Sequence, residues 1–147
     1  MTGYTDADGS FSVKIIRGPN QVGWQVQLVF DIGAEHNPAN RRLLESIQNF
    51  FGCSGGIISL EGNQLRYRVV DLKTLLRVRD HFRNYPLEST KLINFQLWSR
   101  VLDLVVARQH LTMGGLLLIV AIKSHFPPGL SSMLATTFPL IPLVSKP

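Results

Sequence analysis

Two aspartates one residue apart, Asp6 and Asp8, followed at once by Gly9, are the residues of this chain whose types and spacing best suit chemistry. Read as a short helix, residues 1–8 would end at Gly9, which tolerates the positive φ of a helix C-terminus. The carboxylates would then sit at the negative end of the helix dipole, where each costs about 0.3–1 kcal/mol. A nearby cation offsets that cost. Mg2+ suits the task, because it takes few carboxylates and keeps several of its waters. Gly3 and Ala7, four residues apart, share one helical face and leave a strip without bulk where a second backbone can pack closely. A competing reading is that Asp6 and Asp8 only solvate a turn, since a bare Asp-x-Asp-Gly run has low specificity. An EF-hand loop is excluded, because with Gly9 at its sixth position Tyr4 would be first and Ile15 last, and the bidentate acid is missing.

The following segments supply the scaffold. Ser10 to Ile16 alternates weakly. Trp24 to Ile32 alternates cleanly, with Trp24, Val26, Leu28, Phe30 and Ile32 on one parity and Gln25, Gln27, Val29 and Asp31 on the other. With Gly18-Pro19-Asn20 between them they predict an antiparallel hairpin with an apolar and a polar face. Asn37-Pro38 predicts a helix start, followed by Leu43, Leu44, Ile47, Phe50 and Phe51 at helical spacing and a stop at Gly52. The order then repeats without a residue-level repeat. Strands at Ile57 to Leu60 and Gln64 to Val70 flank Glu61-Gly62-Asn63, and a helix from Leu72 to about Phe82 carries Leu72, Leu75, Leu76 and Val78. Beyond Tyr85-Pro86-Leu87 the spacing predicts a long helix over Asn94 to Arg108, short helices over Thr112 to Lys123 and Gly129 to Thr136, and a proline-rich tail or interdomain linker from Phe138 to Pro147. Residues 1–137 are thus expected to form one domain.

The 147 residues are 45% hydrophobic, enough for a real core, which excludes disorder as the main description. Fifteen Lys and Arg against ten Asp and Glu give a net charge of +5, which favours a polyanionic partner, nucleic acid first. No acidic residue follows Asp103, and only Arg108, Lys123 and Lys146 are basic there, so charge contact with that partner falls to the first two thirds. Cys53 is the single cysteine, so neither an internal disulfide nor a cysteine zinc site forms. The apolar run Leu116 to Ile122 is far shorter than the roughly 20 residues a bilayer needs, and no membrane partner is expected. The start of the chain reaches Asp6 and Asp8 before any apolar stretch of a signal peptide.

The run Met1-Thr2-Gly3-Tyr4-Thr5-Asp6-Ala7-Asp8-Gly9, continued by Ser10-Phe11-Ser12-Val13, resembles the signature of the LAGLIDADG homing endonucleases. Further segments are similar to the same family in family order. These are Val26 to Phe30, Leu43 to Gly52, His81 to Leu87, and His110-Leu111-Thr112 through Ile122-Lys123, so the resemblance covers nearly the whole chain.

The resemblance implies an α+β, LAGLIDADG homing endonuclease-like αββαββα unit with a four-stranded antiparallel saddle sheet on DNA and C-terminal helices. It also implies a motif helix at the interface between two such units. On the family pattern Asp8 binds the catalytic metal, Mg2+, with the Ala7 carbonyl as a further ligand, while Asp6 caps and orients the helix pair. Lys91 falls where the family carries a lysine beside the phosphate; its bland reading is a solvated residue opening the third helix. Double-stranded DNA would meet the polar parity of the strands, Ser10, Ser12, Lys14, Gln25, Gln27, Asp31, Gln64, Arg66 and Arg68, because Arg and Gln suit the edges of guanine and adenine. The same residues could also form an ordinary wet sheet face.

The activity implied is metal-dependent hydrolysis of DNA in intron mobility, in a mitochondrial setting. The alternative is a non-cleaving protein of the same fold, such as a maturase on intron RNA or a degenerate remnant. One motif per chain calls for a second unit, as a homodimer packed through Gly3 and Ala7 or as a second domain, and the start at the motif and the linker-like tail suggest one half of a two-motif chain. Three departures stand out. A polar, water-positioning residue of the family is replaced by Ala34, with Glu35 and His36 adjacent; Phe126-Pro127-Pro128-Gly129-Leu130 stands where the family has Asn before Gly-Leu; and Met113-Gly114-Gly115-Leu116-Leu117-Leu118 replaces a more charged helix start, suggesting relaxed constraint or a covering partner.

Overall fold

The computed structural model describes residues 9–52, 55–126 and 129–142. Its elements are β1 (Gly9–Arg17), β2 (Trp24–Glu35), α1 (Pro38–Phe51), β3 (Gly56–Glu61), β4 (Gln64–Val69), α2 (Leu72–Asn84), α3 (Ser89–Val106), a 3-10 turn (Gln109–Leu111), α4 (Met113–Lys123) and α5 (Ser132–Thr137). The strands form one sheet in the order β1-β2-β4-β3. The described chain falls into two compact units, residues 9–12 with 29–92, and residues 13–28 with 93–142.

In the first unit the sheet register is set by β4. Phe30, Ile32 and Ala34 of β2 stand opposite Val69, Tyr67 and Leu65, and the interleaved row pairs Asp31 with Arg68, Gly33 with Arg66 and Glu35 with Gln64. Period-two alternation therefore sends one row to the core and the other outward. Helix α1 begins where the Asn37 side chain accepts from the Asn40 N–H at 2.8 Å, with Pro38 in the first turn, and ends at Gly52, whose φ of 111° suits glycine. It buries Leu44, Ile47 and Phe51 on one stripe. Helix α2 is capped by Asp71, which accepts from the Thr74 N–H at 3.0 Å, and buries Leu75, Val78 and Phe82. Leu72, expected on that stripe, is instead exposed, while Thr74 and Leu75 of the same turn are buried. Phe11, Phe30, Phe51 and Phe82 meet with ring centroids 5.2–6.2 Å apart, the tilted and edge-on contacts that aromatic quadrupoles favour.

In the second unit α3 buries Leu97, Trp98, Val101 and Leu102, and α4 buries Leu116, Ile119, Val120 and Ile122. Of the run Met113–Leu118 that departs from the family pattern, only Gly115 and Leu116 are buried, while Met113, Gly114 and Leu118 are exposed. Gly115 has a local reason: a Cβ there would lie 1.9 Å from the main-chain oxygen of Gln109. Helix α3 starts five residues earlier than its apolar spacing predicts, because its opening turn is polar. Phe138, at the expected start of the tail, is 8% exposed and packs edge-on against Trp24 at 5.3 Å. Among the described residues no helix is long and apolar enough to cross a membrane.

Candidate nucleic-acid interface

Gly3, Asp6, Ala7 and Asp8 lie outside the described residues. The nearest described position is Gly9, the first residue of β1. The Lys91 ammonium donates to the main-chain oxygen of Gly9. Lys91 therefore does not simply open a solvated helix. It reaches from the first turn of α3, two residues after Ser89 with its left-handed φ of 57°, to the residue that follows Asp8. No group of three or more His, Cys, Asp or Glu among the described residues is arranged to hold a metal.

The first unit carries six of the expected contact residues. Ser10 and Gln64 are exposed, and Ser12, Arg66 and Arg68 are half-buried. Asp31 departs from them, being 5% exposed. Its Oδ1 accepts from Arg66 Nη1 at 2.5 Å and its Oδ2 from Arg68 Nε at 3.2 Å. Glu61, at the end of β3, places Oε2 3.0 Å from Arg66 Nε, an ion pair whose angle does not make a hydrogen bond. Glu61 was missed in the sequence, where it reads as a turn residue; its signal is the polar parity of β3, shared with Ser59. Ala34 points to the core, while Glu35 and His36 are exposed at the strand end.

In the second unit Lys14, Gln25 and Gln27 are all exposed. Gln25 and Gln27 line a cleft of about 350 Å³ with Ile16, Asn20, Val26 and His110. Asn20 fixes the hairpin end, donating to the Trp24 carbonyl and accepting from the Trp24 N–H at 3.2 Å. Burial, and then the Arg108 charge, push the His110 imidazole below its usual value. Lys123 is also shifted down by burial and donates to the Val13 carbonyl at 2.5 Å, so it ties α4 to β1.

The first unit thus combines helices α1 and α2 with a sheet whose outer parity carries Gln64, Arg66 and Arg68. The family model described as LAGLIDADG endonuclease matches residues 1–102, and the chain belongs to that family. It is similar to the probable intron-encoded endonuclease 2 of Neurospora crassa, at 33% identity over 144 residues, covering 96% of this chain and 31% of the relative. Among solved structures it is similar to the I-SmaMI LAGLIDADG homing endonuclease bound to cleaved DNA, with a TM-score of 0.91 at 32% identity over 99% of this chain and 49% of that one. A second I-SmaMI structure, bound to uncleaved target in the presence of calcium ions, gives a TM-score of 0.91 at 33% identity over 99% and 50%. The chain thus spans about half the length of those nucleases and about a third of the curated relative.

Proposed function

We propose that this chain is one half of a site-specific double-strand DNA endonuclease that hydrolyses phosphodiesters with a divalent metal, Mg2+, and serves intron mobility from a mitochondrial genome. The observation that carries this reading is the Lys91 ammonium held on the Gly9 carbonyl, which puts a cation beside the residue that follows Asp8. Asp8 and the Ala7 carbonyl are the proposed metal ligands, a hard-oxygen set that suits Mg2+. When bound, the metal stabilises charge on the phosphate and lowers the pKa of a water. Lys91 adds a fixed positive charge at the same place, which is worth most where charge develops. Ser10, Ser12, Lys14, Gln25, Gln27, Gln64, Arg66 and Arg68 are the proposed DNA contacts.

Cutting two strands takes two such acids, so the active particle contains a second LAGLIDADG unit, supplied by another copy packed through Gly3 and Ala7 or by a second domain. The intron-encoded relatives and the DNA-bound neighbours support the reading. The test is incubation of a plasmid library carrying randomised inserts with the protein and Mg2+, followed by sequencing of the ends. Recurrent cleavage at one sequence, lost with EDTA, is expected. Enrichment of DNA or intron RNA without any cut would instead favour the non-cleaving maturase-like alternative.

A further inference from the structure

Asp31 is a buried acid on the polar row of β2, where Gln25, Gln27 and Glu35 are exposed and Val29 is buried, and its surroundings make the two arginines beside it unequal. Arg68 stands directly across from Asp31 and binds Oδ2 through Nε, the root of its guanidinium. Its Nη1 and Nη2 make no bond among the described residues, and its side chain is 42% exposed. Arg66 stands across from Gly33, and because that position has no side chain it reaches diagonally to Asp31 Oδ1 with its Nη1 while Glu61 flanks its Nε. Arg66 is thus held by two carboxylates. Arg68 is fixed at its base with its fork open.

The charges of Arg66, Arg68, Asp31 and Glu61 cancel. A neutral cluster adds little to the general attraction of phosphates, which depends on uncompensated cations. What it supplies is direction. A guanidinium held at Nε presents Nη1 and Nη2 as two parallel donors, and only guanine offers two acceptors, O6 and N7, side by side on its major-groove edge. A tethered fork also has less rotamer freedom to lose on binding.

We propose that Asp31 is a positioning residue that does not itself touch DNA, and that it aims Arg68 at a single guanine so that preference at that base pair depends on Asp31 as well as on Arg68. This rests on the DNA-binding reading above.

The experiment selects binding sites from a randomised double-stranded DNA pool with the 147-residue protein in calcium, then measures affinity for duplexes substituted at each selected position. The wild type is expected to show a guanine whose replacement costs at least about tenfold in affinity. Arg68→Lys and Asp31→Asn should each flatten that one position to within about threefold, leave the other positions unchanged, and not add when combined. Asp31→Glu keeps the charge but moves the carboxylate, and should flatten the same position; it replaces the amide variant if thermal melting shows that variant unfolded. Unchanged guanine preference in the Asp31 variants overturns the proposal, as does a uniform loss across all sequences in Arg68→Lys. A wild type that enriches no sequence overturns the DNA-reading function itself, which separates the two failures.

Discussion

Lys91 donates from Nζ to the main-chain oxygen of Gly9, 82 residues earlier in the chain. The bond ties the first turn of α3 to the start of β1, directly after Asp8. Lys91→Met is therefore predicted to slow cleavage by about 10²-fold or more, the usual cost of losing one fixed electrostatic stabiliser, while DNA affinity stays within a few fold. Parallel binding and single-turnover cleavage measurements check this. Equal loss of both would make Lys91 a structural or phosphate-binding residue.

Lys14 differs from Arg66 and Arg68 in carrying an exposed charge on β1 with no ion pair among the described residues. A phosphate contact is the expected outcome. Lys14→Ala should weaken binding to all sequences about equally and reduce the slope of log K against log salt by about one unit. A salt titration of affinity from low to moderate ionic strength reads it directly. An unchanged slope would remove Lys14 from the interface.

Gly115 is held by close approach and not by its φ. A methyl group at that position would sit 1.9 Å from the Gln109 oxygen, and a backbone atom does not yield as a flexible side chain would. Gly115→Ala is predicted to cost about 1–3 kcal/mol, the usual range for overpacking. Thermal melting should show a fall of several degrees in Tm. The neighbouring Gly114 meets nothing within 4 Å, so Gly114→Ala is the matched control and should leave Tm unchanged or raise it.

Two histidines set a pH limit. Burial first, in each case, pushes His81 and His110 below the usual 6.5. A lowered folded pKa means that the unfolded chain binds more protons once pH drops under 6.5, so stability is intact above that value and is lost as pH falls through and below it. Tm measured from pH 7.5 to 5.5 should decline, and His81→Gln should make the decline shallower. His81 lies among the rings of Phe50, Phe51, Phe82 and Tyr85, which offer no carboxylate to stabilise its cation. A Tm that is flat over this range would contradict the assignment.

Much of this architecture is written in local signals. Asn37 and Gly52 mark both ends of α1 because one side chain caps the helix and one backbone leaves it, and neither depends on the rest of the fold. The alternation of Trp24 to Ile32 places β2 for the same reason, but not the burial of Val29 and Asp31 on its polar parity. The start of α3 was not legible, since Ser89, Thr90 and Lys91 carry no apolar spacing and helix there follows from context. Strand parity places Asp31 with its polar row but cannot report that two arginines from β4 close over it, because that depends on the cross-strand register. Glu61 escaped for a related reason: a residue beside a Gly-Asn turn reads as loop until β3 is paired. Gly115 reads as relaxed sequence until the 3-10 turn is placed against it.

The proposed role of Asp8 as a metal ligand of a DNA-cutting centre is decided by Asp8→Asn, with cleavage of the selected target in Mg2+ and binding to the same duplex measured side by side. Cleavage is expected to be abolished while affinity stays within a few fold of wild type. Cleavage that persists, or binding that is lost in proportion to cleavage, would contradict it.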